Sequence, residues 1–305
     1  MDIAAYMRRL ALPAHQHRSD CAGAQRSPLI DVRKLSLETR FESEAAIRAL
    51  CNPAYLGDHT ALCRVLGQYK MFVDTRDIGV APHLLIDGIW EMWLTEALVS
   101  LVRPGMVVAD VGANLGYFTL LMADLVGAGG RVHAFEPNLR MVELLGRSLS
   151  VNGYWPRVSL HHVALGAEDG REMVLIVSPS EPKNGYMVDA GAEAGAEAVA
   201  PRVDCARMDT TLPWDAIDLA KIDVEGAEEM VWAGMRGQLD NGRLKTVLIE
   251  FASGRYADPA GFLRTLQAPG FALSRLDATA GFVPATEAQI LAFDPLEDVM
   301  LVLQR

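Results

Sequence analysis

Short apolar segments alternate with longer amphipathic segments over most of the chain after residue 105. The short segments have the length and residue types of buried strands, and the longer ones have apolar residues at helical spacing. Such alternation is typical of parallel βαβ units. It predicts an α/β, Rossmann-like fold in which helices cover both faces of a mostly parallel, seven-stranded sheet. The predicted strands are 107–111, 131–135, 158–164, 218–223, 245–250, 271–276 and 299–304, and the predicted helices are 116–127, 138–152, 226–236 and 259–268.

The residues before this alternation have a different pattern. The best helical stretch is 35–50, where four apolar residues recur near helical spacing and predict one buried stripe. Residues 69–74 alternate as a short strand. We predict a mainly helical N-terminal extension over residues 1–75, followed by the α/β domain over residues 76–305. The four stripe residues are Leu37, Phe41, Ala45 and Leu50.

An extra segment separates the third and fourth predicted strands. It comprises residues 171–177 and 189–200, and the second part is rich in Ala, Gly and Glu. This composition predicts an exposed loop or a weak helix.

Charge and composition narrow the class of partner. The formal net charge is −11, and Lys and Arg are not clustered, which opposes nucleic-acid binding because phosphate neutralisation needs clustered cations. No apolar run approaches the roughly 20 residues of a membrane-spanning helix. The four cysteines form no C-x-x-C pair, so reduced thiols are expected. We expect a cytoplasmic protein with a small-molecule partner, no nucleic-acid partner and no membrane span.

A glycine turn follows the first predicted strand, and a carboxylate ends the second. The turn begins with Gly112 after Val111, and Gly116 opens the next helix. Glycines permit a sharp turn and close approach of the backbone to a ligand. Because ligands bind at the carboxyl edge of a doubly wound sheet, Glu136 is expected beside the same crevice. There it can accept hydrogen bonds from the two hydroxyls of a ribose.

The spacing of the glycines bears on which nucleoside binds. A dinucleotide fingerprint needs glycine at the positions of Asn114 and Tyr117, so a pyrophosphate would be poorly held. S-adenosylmethionine has no phosphate and suits an acidic, amide-rich pocket. Asp110 is expected to serve its ammonium, and Asn114 with nearby backbone N–H groups its carboxylate. A nicotinamide-dependent oxidoreductase remains the alternative enzyme.

The same residues resemble the FkbM family of methyltransferases, and the resemblance covers about residues 69–305. It implies a class I methyltransferase fold, S-adenosylmethionine as donor, and methyl transfer to hydroxyls of natural products, sugars and glycolipids. The motifs that carry it are G-I-W-E-M-W at 88–93, D-V-G-A-N-L-G-Y-F-T at 110–119, G-R-V-H-A-F-E-P-N at 130–138, V-A-L-G at 163–166, L-A-K-I-D-V-E-G-A-E at 219–228 and L-I-E-F at 248–251.

Three ionisable residues end the fourth predicted strand: Lys221, Asp223 and Glu225. Methyl transfer to oxygen needs an aligned hydroxyl and a base that removes its proton. Asp223 and Glu225 are candidates for that base, Asp223 also borders the donor, and Lys221 is a candidate for stabilising the oxyanion. Alternatively, Glu225, Glu228 and Glu229 complement the following helix N-terminus, or the carboxylates of Asp223 and Glu225 bind Mg²⁺. We predict no metal, because no third dedicated carboxylate is evident.

The remaining candidates lie in other motifs. His83 is a possible general base, since imidazole titrates near neutral pH. Glu91 interrupts an apolar helix and is expected to reach the donor or acceptor. The backbone at Val163 and Ala164 is expected to meet the adenine edge. Ala113, Tyr117 and Pro137 are also expected to border the donor, and Glu250 to wall the acceptor pocket.

The leading hypothesis is therefore O-methyl transfer to a small molecule, natural product or saccharide. A non-catalytic protein that binds S-adenosylmethionine is the alternative from another class. The extension is expected to cover the crevice or to form a homodimer contact. Acceptor choice is expected to depend on the extension and on residues 178–202 and 252–258.

Overall fold

The computed structural model describes residues 29–178, 181–189, 201–212 and 216–305. In the extension, helix α1 (Arg40–Leu50) precedes a three-stranded antiparallel sheet in the order β1-β2-β3. Two helices then lead into the α/β domain, α2 (Ala81–Ile86) and α3 (Met92–Leu101). The strands are β1 (Ala54–Gly57), β2 (Thr60–Val65) and β3 (Tyr69–Asp74).

The extension differs from its prediction in two ways. The predicted helix and the strand at 69–74 are present, but β1 and β2 add a sheet where mainly helix was expected. The prediction of a buried stripe on the helix is wrong, because Phe41 is 84% exposed and Leu37 is 40% exposed, whereas Ile47 is buried. A 3₁₀ turn at Leu37–Thr39 precedes the helix and breaks the assumed periodicity.

The α/β domain contains an eight-stranded sheet in the order β14-β13-β15-β12-β11-β4-β5-β6. β15 runs antiparallel to both of its neighbours, β12 and β13, and the pairs from β12 to β6 are parallel. The seven predicted strands are confirmed, and β14 is an additional edge strand. These strands are β4 (Val107–Val111), β5 (Arg131–Phe135), β6 (Val158–His161), β11 (Leu219–Ile222), β12 (Thr246–Phe251), β13 (Ala272–Asp277), β14 (Gly281–Pro284) and β15 (Val299–Gln304).

Helices cover both faces of this sheet, as predicted. Successive strand residues point to opposite faces, so Val108 packs in one apolar core and Ala109 in the other. The predicted helix at 226–236 is divided into two short helices. The helices after α3 are α4 (Tyr117–Val126), α5 (Leu139–Asn152), α6 (Met208–Thr211), α7 (Glu228–Ala233), α8 (Arg236–Asp240), α9 (Pro259–Gln267) and α10 (Glu287–Ile290).

A second sheet has the order β7-β10-β8-β9. The end of the predicted third strand forms β7 (Ala164–Leu165), and the chain then continues through β8 (Glu172–Ser178), β9 (Glu181–Asp189) and β10 (Arg202–Ala206). The prediction of a loop or weak helix at 171–177 is therefore wrong, because the apolar residues there pair as a strand with β9 and β10. Residues 190–200 lie outside the described residues.

The extension packs directly on the α/β domain. Buried residues of β2 and β3 share one apolar core with α4 and α5. Asp74 is fully buried and forms ion pairs with Arg76 at 2.6 Å and with Arg140 of α5 at 2.8 Å. These contacts fix the extension beside the helices that follow the glycine turn. None of the described helices is long and apolar enough to span a membrane.

Candidate active site

A cavity of about 360 Å³ lies at the carboxyl ends of β4, β5, β11 and β12. The strand order reverses between β4 and β11, which is where doubly wound folds bind ligands. Fourteen of the predicted site residues line it, whereas Asp110, which is fully buried, and His83 lie outside its lining. The fourteen are Glu91, Gly112, Ala113, Asn114, Gly116, Tyr117, Glu136, Pro137, Val163, Ala164, Lys221, Asp223, Glu225 and Glu250.

Both glycines of the turn are required by close packing. Gly112 has φ +76°, and a Cβ atom there would lie 1.8 Å from the carbonyl oxygen of Asp223. Gly116 has φ +91°, and a Cβ atom there would lie 2.1 Å from the Leu145 side chain. The turn therefore presses against the end of β11 and against α5, so the two halves of the cavity are held together by backbone contact.

The backbone N–H groups of this turn are hydrogen-bonded within the protein. Those of Gly112 and Ala113 donate to the carbonyl of Phe135 at 3.1 and 3.0 Å, and that of Gly116 to Ala113 at 2.9 Å. The Asn114 N–H donates to Glu136, and the Leu115 N–H to the Asn114 side chain. Each N–H group of residues 112–116 thus has a protein acceptor, and the binding of a ligand carboxylate by Asn114 and the N–H groups at the start of α4 stays a prediction.

Glu136 is oriented by two backbone groups. Its Oε2 accepts from the Asn114 N–H at 2.7 Å, and its Oε1 accepts from the Asn138 N–H at 2.8 Å. The side chain is buried at the cavity wall. Burial raises the pKa of Glu136 to about 7, although the two N–H groups lower it. A carboxylate keeps further lone pairs when each oxygen has one partner, so Glu136 can still accept hydrogen bonds from a ligand.

The pKa of Glu136 leads to a prediction for the binding of S-adenosylhomocysteine, the molecule that remains when S-adenosylmethionine has given up its methyl group. Ribose hydroxyls donate best to the ionised carboxylate, so binding should strengthen as pH rises through about 7. Affinity at pH 8 should exceed that at pH 6 by about tenfold, measured by calorimetric titration. A Glu136→Gln variant should give a flat profile over this range. If the affinity of the Glu136→Gln variant rose with pH as steeply as that of wild type, the assignment of Glu136 as the acceptor for the ribose hydroxyls would be contradicted.

Asp110, Lys221 and Asp223 form an ion-pair chain in which Asp110 and Lys221 are buried and Asp223 is partly exposed. Asp110 on β4 lies beside Lys221 on β11 in the parallel register. Lys221 Nζ lies 3.0 Å from Asp223 Oδ2 and 3.9 Å from Asp110 Oδ1, and it also donates to the Gly112 carbonyl at 3.3 Å. Burial lowers the pKa of Lys221, but the carboxylates of Asp223 and Asp110 together raise it above its ordinary value. Lys221 is therefore a buried cation that anchors two carboxylates.

Asp110 has one oxygen that the protein does not satisfy. Its side chain is fully buried, and Oδ2 accepts from the Thr119 hydroxyl, but Oδ1 has no hydrogen-bond partner. Burial raises the pKa of Asp110, whereas Lys221 and Thr119 oppose the rise. A buried acceptor without a partner is costly, and such groups commonly mark a place that a ligand or water completes.

A second charge cluster has two members that were missed from the sequence, Arg255 and Asp298, and two that were among the predicted site residues, Glu225 and Glu250. Arg255 is hydrogen-bonded to Glu250, and it lies 3.2 Å from Glu225 and 3.0 Å from Asp298. All four residues line the cavity. Burial and the neighbouring Asp223 carboxylate together raise the pKa of Glu250 to about 9, although its hydrogen bond with Arg255 opposes the rise. Asp298 escaped detection because β15 is antiparallel, so the start of that strand, not its end, lies at the functional edge.

The remaining predicted residues have varied positions. Glu91 has a left-handed backbone (φ +40°) and lies immediately before α3. Tyr117 is buried, with its hydroxyl 3.3 Å from Thr95, and burial raises its pKa. His83 is exposed, lies 3.8 Å from Asp87, and contacts Trp90 with ring centroids 5.6 Å apart. Its predicted role as base would require movement toward the cavity.

Glu228 has a structural role, in agreement with the alternative interpretation of the acidic helix start. It is fully buried, and Oε1 accepts from the N–H groups of Val224 and Gly226 at 3.0 and 3.2 Å. Its Oε2 accepts from the Tyr256 hydroxyl at 2.7 Å. These bonds hold the loop that carries Asp223 and Glu225.

The opposite wall of the cavity is apolar. Val163, Ala164 and Leu165 lie there, and the second sheet adds Leu175 and Met187. This contribution was missed because the segment of β8 was predicted as a loop. Among the described residues, no group of three or more His, Cys, Asp or Glu is arranged to hold a metal ion.

The strand order, the reversal between β4 and β11, and the cavity at that edge define a class I methyltransferase fold. A family model described as the methyltransferase FkbM domain matches residues 110–273, more than half of the chain. The chain belongs to this family, and the prediction from the motifs is confirmed.

The chain is also similar to two proteins by sequence and to one solved structure. The 31-O-demethyl-FK506 methyltransferase FkbM of Streptomyces tacrolimicus is 29% identical over 178 residues, which is 49% of this chain and 66% of that protein. A protein-L-isoaspartate O-methyltransferase of Aeropyrum pernix is 44% identical over 52 residues, 17% of this chain and 20% of that protein. The crystal structure of methyltransferase FkbM from Methylobacillus flagellatus has a TM-score of 0.42 and 16% identity, covering 67% of this chain and 45% of that chain. The chain thus spans under two thirds of the length of each of these proteins.

Proposed function

We propose that this protein transfers a methyl group from S-adenosylmethionine to a hydroxyl oxygen of a small molecule, natural product or saccharide. The observation that carries the proposal is the buried Glu136, whose two oxygens are oriented by backbone N–H groups at the wall of the cavity. A carboxylate in this place suits the two hydroxyls of a ribose.

The glycine turn favours a methyl donor over a dinucleotide. A pyrophosphate is held by free backbone N–H groups, but those of residues 112–116 all have protein acceptors. S-adenosylmethionine has no pyrophosphate, so its binding does not need free backbone N–H groups at the turn. Its amino acid head carries an ammonium group, and Asp110 Oδ1 is a buried acceptor that has no hydrogen-bond partner, with Lys221 Nζ 3.9 Å away. The residues present therefore fit S-adenosylmethionine better than NAD.

Asp223 is proposed as the base on the acceptor side. When bound, S-adenosylmethionine supplies an electrophilic methyl group. Asp223 lies at the cavity, a quarter of its side chain is exposed, and Lys221 Nζ lies 3.0 Å from its Oδ2. It is thus placed to take the proton of an acceptor hydroxyl. Because Lys221 already pairs with two carboxylates, we assign it the positioning of Asp223 rather than a direct contact with the oxyanion.

The N-terminal extension is proposed to form part of the active-site wall. Met71 of β3, in the extension, lines the cavity and lies there beside Val80, Leu84 and Trp90 of the segment that follows the extension. This arrangement supports a role for the extension in choosing the acceptor and in excluding water. The domain division near residue 75, the homodimer contact and the cytoplasmic location remain proposals.

Methyl transfer is tested with S-adenosylmethionine labelled in the methyl group and a panel of hydroxylated glycosides, macrolides and phenols. The expected result is a labelled product whose NMR spectrum places the methyl on oxygen. A methyl on nitrogen or carbon would contradict the proposed chemistry. If the protein bound S-adenosylhomocysteine but methylated no compound of the panel, the alternative of a non-catalytic binding protein would be favoured.

A further inference from the structure

Two consecutive residues, Arg255 and Tyr256, connect two loops at the carboxyl edge of the large sheet. The first loop, residues 223–227, follows β11 and carries Asp223. The second loop follows β12 and contains the 3₁₀ turn Ser253–Arg255. Arg255 contacts the first loop at the cavity, and Tyr256 supports it through a buried hydrogen bond. The position of the first loop therefore depends on the second.

Arg255 contacts the first loop through both its guanidinium and its aliphatic chain. The guanidinium lies 3.2 Å from Glu225, and it also pairs with Glu250 at 2.5 Å and with Asp298 at 3.0 Å. A Cβ atom added to Gly226 would lie 3.6 Å from Arg255 Cδ, so the aliphatic chain lies over that glycine. Because a guanidinium presents its donors in a rigid, planar fork, it fixes the three carboxylates relative to one another.

Tyr256 supports the same loop on its buried side. Its hydroxyl donates to Glu228, whose other oxygen accepts from two N–H groups of the loop. Its ring packs in the core against Phe262, with ring centroids 4.8 Å apart. The turn before Tyr256 is also anchored, because the Gly254 N–H donates to the carbonyl of Pro295 at 2.8 Å. The second loop is thus fixed by contacts that do not involve the cavity.

The first loop contains two consecutive residues with left-handed backbones. Glu225 has φ +55°, and Gly226 has φ +102°. Glycine adopts such a conformation readily, but a residue with a side chain keeps it only where the surroundings enforce it. The ion pair with Arg255 restrains Glu225, which lies two residues after Asp223. Loss of this ion pair is therefore expected to release the loop that carries Asp223.

We infer that Arg255 is a positioning residue for methyl transfer, which holds the loop after β11 so that Asp223 meets the acceptor hydroxyl. The inference rests on the proposed function, in which Asp223 is the base. Arg255 is not assigned a contact with the acceptor, because its guanidinium already pairs with three carboxylates. Donor affinity should not depend on it, since Glu136 and the glycine turn follow β5 and β4. A misplacement of about 1 Å can cost about a hundredfold in rate, so a released loop should lower kcat.

The first test compares the amide hydrogen exchange of Arg255→Met and Arg243→Met by mass spectrometry. Methionine keeps an aliphatic chain over Gly226 but cannot pair with a carboxylate. The amides of residues 223–227 should exchange about fivefold faster, or more, in Arg255→Met than in wild type. Arg243 is the matched control, because it pairs with Asp218 at 2.7 Å at the opposite end of β11. Its substitution removes the same charge and should leave this exchange unchanged.

The second test separates positioning from a general loss of stability. With an acceptor from the methyl-transfer panel, Arg255→Met should lower kcat about tenfold or more, while affinity for S-adenosylhomocysteine stays within about twofold of wild type. Arg255→Lys should lose less, because lysine can still pair with one carboxylate. Since Arg255 acts through Glu225, adding Glu225→Gln to Arg255→Met should slow turnover no further.

Unchanged exchange or unchanged kcat in Arg255→Met would overturn the inference, and so would losses that multiply in the double variant. Equal losses of kcat in Arg255→Met and Arg243→Met would also overturn it, because they would indicate a general effect of charge. A wild-type protein that transfers no methyl group would instead contradict the proposed function. The exchange measurement would then still decide whether Arg255 holds the loop.

Discussion

Gly112→Ala should abolish binding of S-adenosylhomocysteine and lower the free energy of unfolding by roughly 2 to 6 kcal/mol. The added Cβ would lie 1.8 Å from the Asp223 carbonyl oxygen, which belongs to backbone and has no room to rotate away. Alanine would also be strained at φ +76°. The turn would have to separate from the end of β11, which would displace both Asp223 and the N–H group that orients Glu136. Denaturant unfolding and calorimetric titration measure the two effects.

Gly105→Ala separates backbone strain from the steric clash. Gly105 has a similar φ of +85°, but a Cβ atom there would meet nothing within 4 Å. This control should cost only about 1 kcal/mol and should retain ligand binding. If the Gly112 variant matched the Gly105 variant in stability and affinity, the close contact between the turn and β11 would be wrong.

Asp223→Asn should lower kcat by about a hundredfold to ten-thousandfold, the usual loss when a general base is removed. Asparagine keeps the shape of the side chain but cannot take the proton of the acceptor hydroxyl. Affinity for S-adenosylhomocysteine should stay within a few fold of wild type, because Glu136 and the glycine turn are unchanged. The measurements are steady-state turnover with an acceptor from the methyl-transfer panel and titration with S-adenosylhomocysteine.

Glu229→Gln is the control for charge, since Glu229 is exposed on the next helix. It should leave turnover unchanged. If Asp223→Asn kept full turnover, the base would have to be another carboxylate at the cavity, such as Glu250 or Glu225.

The central sheet could be predicted because the apolar residues of its strands match the buried positions that the strands occupy. Strands buried on both faces have continuous apolar runs, so the predicted bounds of β4, β5 and β15 match the structure. The glycine turn and Glu136 were also predictable, because the carboxyl edge of a parallel sheet gathers the residues that follow its strands. Thus most of the residues on the proposed donor side of the cavity could be placed there from sequence spacing.

The proposed acceptor side depends on contacts that sequence spacing does not encode. Asp298 reaches the cavity because β15 runs antiparallel, and Arg255 reaches it through the 3₁₀ turn at Ser253–Arg255. Leu175 and Met187 reach it because β8 and β9 pair with each other, and the adjacent Ala- and Gly-rich composition obscured that pairing. Phe41 was predicted as buried from periodicity alone, yet the neighbours of α1 cover the face of Ile47 instead.

The central claim is that the cavity binds a methyl-donor nucleoside through Glu136. The most direct test is calorimetric titration of the purified protein with S-adenosylhomocysteine and, in parallel, with NAD, repeated on a Glu136→Ala variant. Saturable binding of S-adenosylhomocysteine, weakened about tenfold or more by the substitution, together with no binding of NAD, is the predicted result. Binding of NAD alone, or equal affinity of wild type and variant for S-adenosylhomocysteine, would contradict it.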